Sequence, residues 1–153
     1  MSLREELEDF YAEYSEVIDG GALERWPELF VEPCRYRIVS KENHDKGLPL
    51  SLMLCESLGM LKDRAYASKE LNVYAPRAWR HGITQIRGQE QDGRISARAN
   101  FVVFESLADQ HTRILCAGRY LDTLVRTPAG LRLREKLCIY DAALVPGSIV
   151  MPL

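Results

Sequence analysis

Five side chains of this 153-residue chain could together move protons: Tyr14, Asp19, Tyr36, His81 and Tyr140. If a bent sheet gathered them in one hollow, a Tyr/Asp/His set could transfer protons next to a carbonyl group of a small ligand. A structural interpretation competes with this one. A buried tyrosine needs only one partner for its hydroxyl, and Asp19, next to Gly20, could simply end a helix. The sequence alone leaves both interpretations open.

The potential metal ligands are too dispersed to form a metal centre. The three histidines, His44, His81 and His111, lie 37 and 30 residues apart, without the close pairs that metal sites use. The cysteines are equally scattered, with no CxxC or CxH pair, at Cys34, Cys55, Cys116 and Cys138. Each lies in or beside an apolar run, which predicts reduced core residues of a cytosolic protein, with one disulfide or a reactive thiol as alternatives.

The charge balance excludes some partners. Twenty Lys and Arg against 22 Asp and Glu give a net charge of −2, without the basic excess that nucleic-acid binding requires. No apolar run of membrane length and no signal-peptide pattern occurs, which predicts a cytoplasmic protein without a membrane partner. Near the end of the chain, strand alternation places Arg132, Arg134 and Lys136 on one side. That basic stripe is interpreted as a solvated face or as an interface for acidic partners.

The first half of the chain must supply the helices. A capping box at Ser2 and Glu5 opens an amphipathic helix that Gly20-Gly21 ends. Its apolar stripe recurs at spacings of three and four, at Leu3, Leu7, Phe10, Tyr11, Tyr14, Val17 and Ile18. The segments that follow are predicted as a short helix around Trp26, a strand over Cys34–Val39, a loop over Lys41–Gly47, a strand over Leu50–Cys55, a helix over Glu56–Leu71 and a loop over Asn72–Trp79.

The second half of the chain consists of four long β-rich runs with short turn-type connectors. The runs are Arg80–Glu90, Arg94–Ser106, Thr112–Arg126 and Leu131–Asp141. Consecutive strands with tight connections form an antiparallel meander. The sequence therefore predicts one α+β domain over residues 1–153, with N-terminal helices packed on one face of a curved antiparallel sheet.

Several segments, in this order, resemble the small (β) subunits of aromatic-ring-hydroxylating dioxygenases, which are Rieske non-haem iron enzymes. The matching segments are Trp26-Pro27-Glu28-Leu29-Phe30, Cys34-Arg35-Tyr36-Arg37-Ile38, Met60-Leu61-Lys62-Asp63-Arg64, Arg80-His81, Arg132-Leu133-Arg134-Glu135-Lys136 and Tyr140-Asp141. The resemblance runs from about residue 5 to Leu153. Within the family, Asn43-His44-Asp45-Lys46-Gly47-Leu48 and Met151-Pro152-Leu153 look closest to the terephthalate dioxygenase and salicylate 5-hydroxylase subunits.

The resemblance implies a cystatin-like cone fold, shared with ketosteroid isomerase and scytalone dehydratase. It also implies a β trimer that assembles with a large (α) subunit as an α3β3 hexamer. The α subunit would carry the Rieske [2Fe–2S] cluster and the mononuclear iron, which hydroxylate an aromatic ring with O2 and NAD(P)H-derived electrons. This chain would hold no cofactor and no catalytic residue, and would act as a structural assembly subunit.

The interface candidates combine residue types that often anchor contacts between proteins. They lie in the segment around residues 74–81, in the basic stripe and in the apolar tail: Tyr74, Arg77, Trp79, Arg80, His81, Arg132, Arg134, Ile149, Val150, Met151 and Leu153. Trp79 could instead be an ordinary core aromatic, and the tail could pack on the chain's own core. The alternative function is a stand-alone isomerase or dehydratase that uses the cone pocket.

Overall fold

The computed structural model describes residues 1–71, 77–142 and 151–153. The elements, in chain order, are α1 (Leu3–Asp19), a 3₁₀ helix (Leu23–Leu29), β1 (Phe30–Ser40), α2 (Lys41–Asp45), β2 (Met53–Cys55), α3 (Leu58–Tyr66), a π-helical turn (Ala67–Leu71), β3 (Arg77–Gln91), β4 (Arg94–Leu107), β5 (Arg113–Thr127) and β6 (Gly130–Tyr140). The predicted first helix is confirmed. The Ser2 hydroxyl accepts a hydrogen bond from the Glu5 backbone, and the Glu5 carboxylate accepts one from the Ser2 backbone.

The described strands form a six-stranded sheet in the order β2-β1-β6-β5-β4-β3. The predicted meander of β3 to β6 is confirmed, because each of these strands pairs antiparallel with the next. One pairing differs from the prediction of an antiparallel sheet, since β1 lies parallel to β6. About a hundred residues separate these two strands, so no hairpin signal could indicate their pairing.

Two local predictions were wrong. The segment Lys41–Gly47 is not all loop, because Ser40 caps the short helix α2 through a hydrogen bond from the Asn43 backbone. Trp79 does not lie in a loop either, since β3 begins at Arg77. Residues 72–76 of that predicted loop lie outside the described residues.

The sheet face covered by α1 is the inner face, and it carries the core. Tyr11 of α1 stacks on Tyr120 of β5 at 6.0 Å between ring centroids. The stretch from Ile95 to Val103 in β4 alternates buried inner residues with residues on the opposite, outer face. The apolar stripe of α1 therefore fills the hollow of the sheet, as its spacing predicts.

A β-bulge in β6 overturns the predicted basic stripe. Leu133 pairs with Leu124 of β5 and Glu135 pairs with Thr123, which leaves Arg134 as an extra residue. The alternation shifts by one position beyond it, so that Lys136 enters the interior with 1% exposure. Lys136 therefore does not share a solvated face with the two arginines before it.

Candidate functional site

The structure brings four of the five candidate proton-transfer residues together as two separate pairs, Asp19 with His81 and Tyr14 with Tyr36, rather than as one set. Asp19, at the end of α1, accepts hydrogen bonds from the His81 backbone N–H at 2.8 Å and lies 2.6 Å from His81 Nδ1. The His81 side chain is fully buried. Its Nε2 atom has no hydrogen-bond partner among the described residues. The pair joins α1 to β3, and its second imidazole nitrogen is not open to solvent.

The tyrosines of the candidate set have other partners. The hydroxyl groups of Tyr14 and Tyr36 both donate to the Leu153 carbonyl oxygen, at 2.6 and 3.2 Å, and the Leu153 N–H donates to Tyr36 at 2.8 Å. Burial raises the pKa of both phenols well above the usual value, so they stay neutral. Tyr140 is half-buried and packs against the edge of the core. The structure thus gives these tyrosines structural partners.

A buried ion pair that the sequence analysis missed lies in the same interior. Lys136 Nζ donates to Asp122 Oδ2 at 2.9 Å, and the Tyr11 hydroxyl donates to the same oxygen at 2.6 Å. Both charged side chains have no exposed surface. Burial raises the pKa of Asp122, and the Lys136 charge opposes that rise. The sequence did contain a signal that Asp122 is buried, because it alternates with Tyr120 and Leu124 on the inner face of β5.

Three aromatic rings surround the Lys136 ammonium group. Its nitrogen lies 3.3 Å from the ring centroid of Tyr120, 4.5 Å from that of Tyr14 and 5.3 Å from that of Tyr11. Ring faces attract a desolvated cation, which offsets part of the cost of removing it from water. This arrangement fills the centre of the hollow with the chain's own side chains.

A second polar cluster lies where β3, β4 and β5 meet. Glu105 Oε2 accepts hydrogen bonds from Arg77 Nη1 at 2.7 Å and from Trp79 Nε1 at 2.9 Å, and Oε1 accepts two from Arg113. Burial alone would raise the pKa of Glu105, but these donors outweigh it and lower the pKa. Trp79 is 4% exposed, which favours the alternative of a core aromatic.

The remaining interface candidates lie in different environments. Arg80 is exposed, whereas Arg132 is half-buried and donates to the Leu131 carbonyl, and Arg134 donates to the Glu32 carbonyl. Met151 and Leu153 are buried in the chain's own core, so this part of the tail packs internally. Tyr74, Ile149 and Val150 lie outside the described residues.

No group of three or more His, Cys, Asp or Glu side chains that could hold a metal ion occurs within residues 1–71, 77–142 and 151–153. The described donor set therefore does not fit a Rieske cluster or a mononuclear iron. All four cysteines are free and buried, as predicted, and burial raises the pKa of the Cys116 and Cys138 thiols to about 12. In the same part of the chain, no helix has the length and apolar character needed to cross a membrane.

A curved six-stranded sheet with helices on its inner face is the architecture of the cystatin-like cone fold. The chain has the fold of an NTF2-like protein with a cystatin-like fold from Novosphingobium aromaticivorans, with a TM-score of 0.66 and 18% identity over 92% of this chain and 83% of that one. It also matches a beta subunit assigned to an aromatic-ring-hydroxylating dioxygenase from the same organism. That match has a TM-score of 0.88 and 36% identity, over 98% of this chain and 96% of the other.

The family model of the ring hydroxylating beta subunit matches residues 15–146. The chain is 39% identical to the anthranilate 1,2-dioxygenase small subunit of Burkholderia cepacia, over 89% of this chain and 85% of the relative. It is 32% identical to subunit beta 2 of the terephthalate 1,2-dioxygenase terminal oxygenase component of a Comamonas species, over 94% of each chain. The chain belongs to the ring hydroxylating beta subunit family, as the resemblance predicts, and is the small subunit of an aromatic-ring-hydroxylating dioxygenase.

Proposed function

We propose that this chain is the non-catalytic assembly subunit of a cytoplasmic dioxygenase that oxygenates an aromatic acid with O2 and NAD(P)H-derived electrons. In this proposal the chain folds as one domain, forms a trimer and carries large subunits in an α3β3 complex. The large subunit holds the Rieske [2Fe–2S] cluster and the mononuclear iron. The two curated relatives support the substrate class, because their names refer to anthranilate and terephthalate, which are both aromatic acids.

The observation that carries the proposal is that the polar side chains inside the curved sheet bind one another. A cavity of about 2430 Å³ lies beside α1 and β3, but a stand-alone isomerase would also need polar groups that are free to act on a substrate. Instead, Tyr14 and Tyr36 bind the backbone of Leu153, which is itself fully buried. Lys136 and Asp122 neutralise each other beside them. These groups stabilise the subunit and leave its outer surfaces for contacts with other chains.

The Asp19–His81 contact is the one candidate pair that would suit the alternative function of a stand-alone isomerase or dehydratase. Such a pair can orient an imidazole as a proton acceptor. The buried Nε2 atom gives it no route to a substrate in this conformation. The pair is better explained as a link between the end of α1 and the edge strand β3, because Asp19 also accepts the His81 backbone N–H.

The test is coexpression with a large subunit whose sequence contains the Cys/His pairs of a Rieske centre. We expect a complex of equal subunit numbers, with iron on the large subunit alone and aromatic-acid oxygenation only by the complex. A variant with His81→Asn provides the control, measured as turnover per iron in the assembled complex. Unchanged turnover supports an assembly role. Iron bound to the isolated small subunit, or conversion of an aromatic compound by it alone, would contradict the proposal.

A further inference from the structure

The small net charge of the chain conceals a separation of charge along the sequence. Residues 1–29 contain nine Asp and Glu against two Arg, whereas residues 30–153 contain eighteen Lys and Arg against thirteen Asp and Glu. The acidic part is α1 with the 3₁₀ helix, and the basic part includes the sheet. The acidic part therefore carries a net charge of −7, and the rest of the chain carries a net charge of +5.

The basic surface is a row of residues across the outer face of the sheet. Strand register places five side chains side by side from β3 to β1: Arg87, Arg98, Leu121, Leu137 and Arg37. We call this set the arginine row. Arg87 and Arg98 are exposed, and the two leucines are half-buried. The row presents an apolar centre between cationic ends, which is a composition that suits a protein contact.

The chain provides little charge compensation for two members of the arginine row. Arg87 and Arg98 occupy directly opposite positions on β3 and β4, where like charges repel each other. Neither forms an ion pair with a carboxylate in the part of the chain that the structure describes. A carboxylate from another molecule would relieve this repulsion.

The acidic surface is a stripe along the exposed side of α1. Glu5, Asp9, Ala12 and Glu16 are all exposed, and their spacings of four, three and four residues align them on one face of the helix. We call this set the acidic stripe. The small side chain of Ala12 lies between Asp9 and Glu16, one turn from each, so that apolar surface separates the two carboxylates.

The dimensions of the two surfaces correspond. Asp9 and Glu16 are seven residues apart, which is roughly 10 Å along a helix. Arg98 and Arg37 are separated by three strand spacings, which is roughly 14 Å across a sheet. Arg37 is half-buried and donates through Nε to Ser51, so the exposed side chain of Arg98 would span this difference. Ala12 would then lie over Leu121 and Leu137 of the row.

We propose that the acidic stripe of one copy of this chain docks on the arginine row of a second copy, an inference that rests on the proposed trimer. The two surfaces are different, so the contact is heterologous: each copy uses its stripe on one neighbour and its row on the other. Repetition of such a contact closes a ring when the rotation between neighbours divides a full turn, which is compatible with the proposed trimer.

A charge-exchange experiment tests this pairing. The row variant is Arg98→Glu with Arg37→Glu, because these are the two arginines whose separation matches that of Asp9 and Glu16. The stripe variant is Asp9→Lys with Glu16→Lys. Each places like charges against each other, and we expect each to raise the dissociation constant of the small-subunit oligomer at least tenfold in sedimentation velocity. Combining all four substitutions in one chain restores opposite charges, so the combined variant should regain the parent oligomer.

The matched control is Lys46→Glu with Lys62→Glu, which reverses two exposed lysines of the α2 end and α3 and should leave sedimentation unchanged. Circular dichroism melting verifies that every variant is folded. A parent chain that stays monomeric, or a combined variant that stays dissociated, overturns the proposal. So does a row variant that keeps its oligomer but loses the coexpressed large subunit, since the row would then bind that subunit. If the combined variant regains the parent oligomer but the parent binds no large subunit, the result counts against the proposed function alone.

Discussion

The buried ion pair between Lys136 and Asp122 provides the sharpest test of the interior. Replacing Lys136 with Met keeps most of the volume but leaves the Asp122 carboxylate with the Tyr11 hydroxyl as its one remaining side-chain donor among the described residues. Removing one partner of a buried pair typically costs about 3–5 kcal/mol of unfolding free energy. With a urea dependence of about 2 kcal/mol/M, the unfolding midpoint should fall by about 2 M.

The pH dependence of this variant follows from the same carboxylate. Burial holds the pKa of Asp122 above its unfolded value of 3.8, and removing Lys136 raises that pKa further. The folded variant is therefore penalised at neutral pH, and the penalty shrinks as the pH falls and Asp122 is protonated. The double variant Lys136→Met with Asp122→Asn carries no buried charge and should recover most of the loss.

Urea titrations of both variants at pH 5 and pH 8 measure these effects. Arg126→Met is the control, because Arg126 is a half-exposed cation whose ion pairs with Glu6 and Glu90 lie at the surface, and it should shift the midpoint far less. A loss for Lys136→Met that is small and independent of pH would refute the reasoning, as would a double variant less stable than the single one.

The two remaining predictions concern the second polar cluster and the cysteines. Glu105→Gln should make the free energy of unfolding depend less on pH in the acid range. In the parent, the lowered pKa of Glu105 stabilises the fold at pH values above the unfolded pKa of 4.5. That contribution disappears as the pH falls through the lowered pKa. Chemical unfolding between pH 3 and 7 measures the difference, and parallel curves would contradict it. All four cysteines should resist a thiol reagent at pH 8 until urea is added, since burial raises the pKa of thiols such as Cys138 to about 12; rapid labelling of the folded chain would contradict their burial.

Local patterns in the sequence predicted the elements that depend on local physics. The capping box and apolar stripe of α1, and the four strands of the meander, all follow from residues within a few positions of one another. The helix α2 could also have been found. Ser40 is a good N-cap residue, and the oppositely charged pairs Lys41–Asp45 and Glu42–Lys46 are spaced for a helix.

Features that depend on distant parts of the chain escaped prediction. The bulge at Arg134 adds one residue to β6, and the pattern of residue types does not reveal it. Strict alternation of inner and outer residues therefore predicted the wrong face of the sheet for Lys136. The Asp19–His81 contact was considered as a possibility, but its geometry depends on where α1 ends relative to β3. Glu105 was missed because its three donors come from two other strands.

The bulge in β6 has a consequence for both sides of the sheet. The extra residue that turns Lys136 inward, next to Asp122, also turns Leu137 outward, into the apolar centre of the arginine row. One inserted position thus sets the polarity of the interior and the composition of an exterior surface at the same time. Deletion of the bulge residue would turn Lys136 towards solvent and Leu137 towards Asp122. The inner and outer faces of the sheet at this point therefore cannot change independently of each other.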